Sequence, residues 1–361
     1  MPDTSSIPDL VASSFSDSLE KRLIHLYDYE STSKVPLARS SGHQFVHVVP
    51  GLAAKPAVPL HTPDLSKVTK RDPFEGPEYG PGEKILDLEA STGARYVLLH
   101  NLHALMREHF MAVPRFDADH AFRPQTSKLV PSDLEIANLV VQSYAQRGRN
   151  LICFFNGGPL AGASQPHLHL QFCPYQHDVP PLMQVVASSL TRDEDDDDDD
   201  DDDERVDKLN LPWIVFCVRL PQARGPTTTT PPATLHRLYE KLLDAATTHL
   251  ASLDEASLPP AGHKRDSHNV FVTSTHVFLT PRRHRLVAIA RDASIEQGRR
   301  SLGGGWEDVA GAEKEMRLSV NGLSVIGYWY VGSREEEDDL RTYGLDKTLK
   351  ECGYVNEDYQ A

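Results

Sequence analysis

A glycine-rich turn is followed by two closely spaced histidines in Asn156-Gly-Gly-Pro-Leu-Ala-Gly-Ala-Ser-Gln-Pro-His-Leu-His-Leu-Gln171. Together with Phe172, the last residues of this stretch form the segment Pro166–Phe172, which alternates polar and apolar side chains like a strand. On an extended strand, successive side chains face opposite sides. The pattern therefore predicts that His167, His169 and Gln171 form a row on one face, about 7 Å apart. The intervening leucines and Phe172 can anchor the other face in a core.

Upstream of the histidines, Asn156, Gly157 and Gly158 can turn tightly and bring backbone N–H groups close to an anion. Three interpretations fit a histidine row beside such a turn. The row is a strand face that is merely solvated, a metal site, or a site for nucleophilic attack on phosphorus. A metal would need a carboxylate or thiolate nearby, and Gln171 is a poor substitute. The glycines, Ser164 and Gln171 all suit phosphate oxygens, which favours an imidazole that forms a covalent phosphoramidate.

A longer stretch, Phe154–Pro174, resembles the active-site block of the fungal-type diadenosine tetraphosphate phosphorylases, also called ATP adenylyltransferases. These enzymes belong to the histidine-triad superfamily, on the branch with the galactose-1-phosphate uridylyltransferases. The branch carries His-x-His-x-Gln where the hydrolases carry a third His. Further segments that are similar to the family are Ile7–Phe15, Gly51–Pro56, Arg71–Glu78, Leu211–Pro221, His268–Thr273, Pro281-Arg282 and Leu318–Leu323.

One segment departs from the family pattern. Leu98-Leu-His-Asn-Leu-His103 stands where the family usually reads Leu-Leu-Asn-Lys, so that Asn101 matches but Leu102 replaces the Lys. If that Lys helps to bind the polyphosphate, we expect a different affinity or substrate preference here.

The resemblance implies an α+β fold of the histidine-triad/uridylyltransferase-like type. It would have an antiparallel sheet (half-barrel) with flanking helices, pseudo-duplicated as two lobes of a single chain. We expect an N-terminal catalytic region over 1–190, an acidic disordered loop over 191–210, and a C-terminal region over 211–361 that completes the fold. Apolar patterning predicts an antiparallel pair at 94–99 and 109–113, strands at 151–155, 270–279 and 286–289, and helices at 234–250 and 345–352.

Composition indicates a soluble globular protein, with 361 residues of which 39% are hydrophobic and no apolar run of membrane-spanning length. The N-terminus has neither a basic region nor an apolar signal core. The four cysteines are scattered without a Cys-x-x-Cys pair, as is typical of reduced thiols. We therefore expect a cytoplasmic location, with the nucleus also possible, and no membrane partner. No basic stripe predicts nucleic-acid binding.

The formal net charge of −15 is concentrated in one place. Asp193–Glu204 is an unbroken run of 12 acidic residues, and the rest of the chain carries a net charge of only −3. Such a run repels itself and buries no apolar surface, which predicts a disordered loop. It either steers or docks a basic partner, or is a tolerated insertion. Gly225–Pro232 reads as a linker.

The family resemblance assigns roles to individual residues. His169 would be the nucleophile that attacks the α-phosphorus, with its other ring nitrogen held by a backbone carbonyl. His167 would place and contact phosphate, and the Gln171 amide would donate to a phosphate or bridging oxygen. The substrate-binding candidates are Lys55, Asn101, Asn156, Gly157, Gly158, Ser164, Gln165 and Arg282, with Lys55 and Arg282 directed to the distal and incoming phosphates.

The implied reaction converts diadenosine tetraphosphate and inorganic phosphate to ATP and ADP through an adenylyl-histidine intermediate. Reverse synthesis and phosphorolysis of adenosine phosphosulfate would be side activities. We expect Mg²⁺ or a similar divalent cation to arrive with the nucleotide, and no tightly bound metal. The alternatives are a dinucleoside polyphosphate hydrolase and a nucleotide-binding regulator without turnover. The sequence leaves the oligomeric state open.

Overall fold

The computed structural model describes residues 6–37, 42–52, 74, 79–115, 122–175, 179–190, 204–221, 230–254, 257–259, 266–290 and 315–360. Three predicted features lie outside these residues. They are the substrate contact of Lys55, the acidic run as far as residue 203, and the 225–229 part of the linker.

The described strands are β1 (His25–Leu26), β2 (Ser31–Pro36), β3 (His43–Val48), β4 (Lys84–Glu89), β5 (Arg95–His100), β6 (His103–Ala104), β7 (Phe110–Pro114), β8 (Leu151–Gly157), β9 (Leu170–Pro174), β10 (Val206–Lys208), β11 (Phe216–Arg219), β12 (His268–Val272), β13 (His276–Pro281), β14 (Leu286–Ala290), β15 (Glu315–Ser319) and β16 (Tyr328–Val331). The α-helices are α1 (Ile7–Glu20), α2 (Pro131–Ala145), α3 (Leu182–Ser188), α4 (Pro232–Ala251), α5 (Gly322–Val325), α6 (Arg334–Tyr343) and α7 (Leu345–Cys352). Short 3-10 turns occur at Pro50–Leu52 and Pro159–Ala161.

The fold is α+β and is organised around one antiparallel sheet of nine strands, in the order β10-β11-β13-β12-β8-β9-β7-β5-β4. The sheet is open, with β10 and β4 at its edges. Strands β4, β5, β7, β8 and β9 precede the acidic run in the chain, and β10 to β13 follow it. The two groups meet where β8 pairs with β12, with Phe154 opposite Phe271. Both halves of the chain therefore contribute to one continuous sheet.

Helices α1, α2 and α4 cover one face of this sheet. Their apolar side chains enclose a core that includes Tyr144, Leu238, Phe110 and Phe172, all fully buried. Burial of one such side chain contributes about 1.5–3 kcal/mol. Further secondary structure packs on the opposite face. There, a second core includes Trp329 of β16, which belongs to a smaller sheet ordered β16-β3-β2.

The segment predicted as an acidic loop is ordered at its carboxyl end. Residues 204–210, expected to be disordered with the rest of 191–210, include β10, and Leu209 is completely buried. Glu204, the last acidic residue of the run, forms ion pairs with Arg237 and Lys241 of α4. An apolar residue that reaches the core and an acid paired with a helix hold this end in place. Among the helices that the structure describes, none is long and apolar enough to cross a membrane.

Candidate active site

The histidine row lies at the start of β9. Leu168, Leu170 and Phe172 are completely buried in the core beneath α1, α2 and α4. His169 and Gln171 contact each other on the opposite face of the strand. The alternation predicted from the sequence is thus confirmed.

The strand itself is shorter than predicted at its amino end, because β9 begins at Leu170 rather than Pro166. The preceding residues run beside a short segment around Gln125. The Leu168 N–H donates to the Arg123 carbonyl at 2.8 Å, and the His169 N–H donates to Oε1 of the Gln125 side chain at 2.8 Å. His167 pairs with Pro124 in an isolated antiparallel bridge. Beyond this bridge, a side chain rather than a main-chain carbonyl accepts from the His169 N–H.

His169 has the geometry of a nitrogen nucleophile. Its ring is 2% exposed, and Nδ1 lies 2.9 Å from the carbonyl oxygen of His167. Because a carbonyl only accepts hydrogen bonds, a neutral His169 carries its proton on Nδ1. The lone pair then resides on Nε2, where the Gln171 amide nitrogen approaches to 3.5 Å. The expected backbone carbonyl is therefore that of His167.

His167 is held by different contacts. Its Nε2 lies 3.2 Å from the Pro114 carbonyl oxygen, to which Nε2–H donates. The ring also packs edge-on against Phe74 and Phe122, with centroids 6.0 and 5.2 Å away. A neutral imidazole whose proton is on Nε2 has no second N–H for a phosphate oxygen. Two roles were predicted for His167, placing the phosphate and contacting it directly. This arrangement favours the first over the second.

A third histidine completes the polar face. Nε2 of His109, in the loop before β7, lies 3.2 Å from Oε1 of Gln171. Nδ1 of the same ring lies 3.4 Å from Nδ2 of Asn101, whose own Oδ1 accepts the His103 N–H at 3.0 Å. Burial lowers the pKa of the His109 imidazole to about 4, so the ring is neutral near pH 7. The predicted residue Asn101 thus reaches the site through His109.

The glycine turn serves the scaffold more than an open anion cradle. The Gly158 N–H donates to the Gln125 carbonyl at 3.1 Å. Gly158 has φ +88°, and a Cβ there would lie 2.7 Å from Ser267 Oγ. Gly157 lies in β8 opposite His268. The Asn156 side-chain oxygen accepts from Asn269 Nδ2 at 2.8 Å and from the N–H that begins α5 at 3.0 Å. These three residues remain predicted substrate contacts. However, the Gly158 N–H and the Asn156 side-chain oxygen already form hydrogen bonds within the protein.

Gln125, like His109, is a site residue that the sequence pattern did not predict. Its side chain is completely buried and donates to the carbonyl oxygens of Asn156 at 3.0 Å and His169 at 3.4 Å. It also accepts the His169 N–H. One amide therefore joins the strand before the glycine turn to His169. The residue stands 44 positions from His169, and no local pattern marks it.

Ser164 and Gln165 lie in the loop between the turn and the histidines. Ser164 is exposed and Gln165 half-buried, so both are accessible to a ligand. Arg282, in contrast, is 2% exposed. Its guanidinium donates to the carbonyl oxygens of Cys352, His284 and Val320, and to Asn269 Oδ1 at 2.7 Å. The predicted contact of Arg282 with phosphate stays a prediction, which this burial does not favour.

Metal-binding side chains show no clustering in the described ranges. No group of three or more His, Cys, Asp or Glu residues there is arranged to hold a metal ion.

Two family models match the chain. The Ap4A phosphorylase N-terminal domain matches residues 43–191, and the ATP adenylyltransferase C-terminal domain matches residues 209–355. Diadenosine 5',5'''-P1,P4-tetraphosphate phosphorylase 2 of Saccharomyces cerevisiae is 23% identical over 336 residues, which cover 91% of this chain and 89% of that protein.

Solved structures of yeast Ap4A phosphorylase Apa2 share the fold. Its complex with Ap4A aligns with a TM-score of 0.65 at 20% identity, over 97% of both chains. Its complex with AMP aligns with a TM-score of 0.67 at 21% identity, over 99% of both chains. The two family models describe the successive halves of one kind of enzyme and together span most of this sequence, so the chain belongs to the Ap4A phosphorylase family of ATP adenylyltransferases.

Proposed function

We propose that this chain phosphorolyses diadenosine tetraphosphate, with inorganic phosphate, to ATP and ADP. Family membership supports the reaction, and the His169 ring carries the proposal. Its Nδ1–H donates to the His167 carbonyl at 2.9 Å, which leaves Nε2 without a proton and able to attack phosphorus.

The reaction proceeds in two displacements. In the first, Nε2 of His169 forms a bond to the α-phosphorus while the bond from that phosphorus to the bridging oxygen breaks, which releases ATP. In the second, an oxygen of inorganic phosphate attacks the adenylyl phosphorus, the P–N bond breaks, and ADP leaves. Dividing one displacement into two lowers the barrier of each. His169 regains its Nε2 lone pair at the end.

Gln171 suits this transfer. A carboxamide donates a hydrogen bond but does not deliver a proton, so it cannot act as a general acid. ATP leaves as a stable anion without strong protonation, whereas a poor leaving group would need an acid. An amide beside Nε2 therefore favours phosphorolysis over hydrolysis of poor leaving groups.

In this proposal a divalent cation and several protein groups hold the charged polyphosphate. A divalent cation such as Mg²⁺ would arrive with the polyphosphate, held by substrate oxygens. Ser164 and Gln165 are accessible for the α-phosphate and ribose, and Lys55 is proposed for the distal phosphates. If Mg²⁺ enters only with the substrate, EDTA stops turnover without lowering the melting temperature of the free protein.

Product analysis tests the proposal. Diadenosine tetraphosphate is incubated with Mg²⁺, with and without phosphate, for the wild type and His169→Ala. We expect ATP and ADP in equal amounts, only with phosphate and only in the wild type. ATP and AMP without phosphate would identify a hydrolase instead, and tight binding without turnover would identify a regulator. Substrate labelled at the α-phosphates should leave acid-labile label on the wild type in the absence of phosphate.

A further inference from the structure

The polar face of the active site contains a chain of hydrogen bonds with both ends fixed by the main chain. At one end the His103 backbone N–H donates to Asn101 Oδ1 at 3.0 Å. At the other end the His167 carbonyl accepts from His169 Nδ1–H at 2.9 Å. Between them lie His109 and Gln171. A backbone N–H only donates and a carbonyl only accepts, so neither end can reverse.

The fixed ends determine the direction of every link. Since Asn101 Oδ1 accepts, its Nδ2 donates to His109 Nδ1, 3.4 Å away. His109 then carries its proton on Nε2, which donates to Gln171 Oε1 at 3.2 Å. With its oxygen occupied, Gln171 turns its NH₂ group toward Nε2 of His169, at 3.5 Å. The opposite end of the chain requires the same directions, because His169 Nε2 is an acceptor once Nδ1 donates.

We propose that His109 is a positioning residue for the transfer reaction: it holds Gln171 with the amide N–H, rather than the carbonyl, facing the nucleophile. A reversed Gln171 would present its oxygen to the phosphate and repel it. The 3.5 Å separation is long for a hydrogen bond. The Nε2 lone pair is thus only weakly engaged, and the N–H can turn to a phosphate oxygen as Nε2 attacks. The inference rests on the proposed function of His169 as nucleophile.

His109 must be neutral for this role, since a proton on Nδ1 would face the Asn101 NH₂ group. The ring is 2% exposed. The groups that face it are the Asn101 amide, the Gln171 amide and the His169 ring, with the Phe154 ring 6.2 Å away. Burial, which is the main cause, and the electrostatic effect of His169 both lower the pKa of the His109 imidazole, so the ring is uncharged near neutral pH. The hydrogen bonds to Asn101 and Gln171 then fix its tautomer.

Kinetics of substituted enzymes test the proposal. We expect His109→Leu to lower kcat about 10–100-fold with KM for the dinucleotide changed less than about twofold, because an orienting contact is lost. His109→Gln retains an N–H at a similar reach and should recover most of that kcat. His100→Leu is the matched control. His100 is also fully buried with its pKa lowered to about 4, but it bonds Ser14 of α1. The kcat of the His100→Leu enzyme should stay within about twofold of the wild-type value.

A double-substitution cycle separates positioning from general damage. If His109 acts through Gln171, His109→Leu lowers kcat less than about twofold in a Gln171→Ala background. Multiplicative losses in the double variant would overturn the proposal, as would equal kcat losses for His109→Gln and His109→Leu.

A readout without turnover keeps this inference distinct from the proposed function. Long-range ¹H–¹⁵N correlation spectra of the free protein report which ring nitrogen carries the proton, with His109 assigned by difference from His109→Gln. We expect Nε2–H on His109 from pH 8 to pH 5. A protonated Nδ1 would contradict the proposal even if phosphorolysis is demonstrated, and an inactive wild type with the expected tautomer would refute only the function.

Discussion

The carbonyl oxygen of His167 lies 2.9 Å from Nδ1 of His169, so the second histidine of the pair is oriented by the main chain of the first. The acceptor belongs to the backbone and survives any substitution of the His167 side chain. The two histidines of the pair therefore contribute differently to the site: His167 orients its neighbour through its main chain, and His169 contributes its ring.

The first prediction concerns that difference. We expect His167→Ala to lower kcat about 10–100-fold, since it removes the packing against Phe74 and Phe122 but keeps the carbonyl. His169→Ala should lower kcat by about 10³-fold or more, because the proposed nucleophile itself is lost. Steady-state phosphorolysis rates measure both. Equal losses would show that the His167 ring takes a direct part in the chemistry.

A second prediction follows from the buried histidines. In the unfolded chain an imidazole has a pKa near 6.5, whereas burial lowers the pKa of His100 and His109 to about 4. Between these values the unfolded state binds more protons than the folded state. The free energy of unfolding therefore falls as the pH decreases from about 6.5 to 4, by about 3 kcal/mol for each ring over the full interval.

Urea unfolding at pH 7, 6, 5 and 4.5 measures this dependence. The matched comparison is His100→Gln, which removes one titrating ring away from the active site. Its free energy of unfolding should change less steeply with pH than that of the wild type. Parallel curves would mean that His100 titrates alike in both states.

Local patterning in the sequence predicted much of the fold. The antiparallel pair expected at 94–99 and 109–113 is β5 with β7, displaced by one residue, and the helix expected at 345–352 is α7. These elements have their signal in apolar residues a few positions apart. The row of His169 and Gln171 was predictable for the same reason.

The hydrogen bonds that hold His169 and Gln171 in place were not predictable from one sequence. His109 and Gln171 are 62 positions apart, and their contact depends on the register of β7 against β9. The same holds for Gln125, whose side chain bonds the main chain of His169, 44 positions away. The glycine turn had the right composition for an open cradle, but the Gly158 N–H is occupied by a distant carbonyl. Long-range pairing decides which polar groups remain available.

A third prediction tests Gln125. Gln125→Met keeps the shape of the side chain but leaves the His169 N–H and the Asn156 carbonyl buried without their partner. Each such group destabilises by about 1–3 kcal/mol, so we expect the free energy of unfolding to fall by about 2–4 kcal/mol. Because His169 loses its anchor, kcat should fall as well.

Gln142→Met provides the comparison for Gln125. Gln142 donates to the Ser274 carbonyl at 2.9 Å from a half-buried position on α2, where water can replace the bond. We expect a loss below about 1.5 kcal/mol and an unchanged kcat. Similar effects of both substitutions in denaturant unfolding would refute the anchoring role.

A fourth prediction separates two roles of Arg282. Arg282→Met leaves acceptors at Cys352, Asn269 and Val320 without their donor. The free energy of unfolding should fall by about 3–5 kcal/mol. At a temperature where the variant is folded, KM for phosphate should stay within about twofold. A large rise in KM with unchanged stability would instead support the predicted phosphate contact.

The last prediction concerns the loop that leads to Ser164. Gly162 has φ +86°, and a Cβ there would lie 2.6 Å from the Cβ of Asn321. Asn321 caps α5 through its side-chain oxygen, which accepts the Leu323 N–H at 3.0 Å. Gly162→Ala must therefore displace both the loop and the cap. We expect a loss of about 2–4 kcal/mol in the free energy of unfolding, and a lower kcat.

Gly148→Ala distinguishes this crowding from backbone strain alone. Gly148, after α2, has φ +66°, but a Cβ there would meet nothing within 4 Å. Its substitution incurs only the left-handed backbone penalty, about 1–2 kcal/mol, and should leave kcat unchanged. Denaturant unfolding and phosphorolysis rates are measured for both variants. If they lose equal stability and Gly162→Ala keeps full activity, the contact with Asn321 does not hold the loop in its active position.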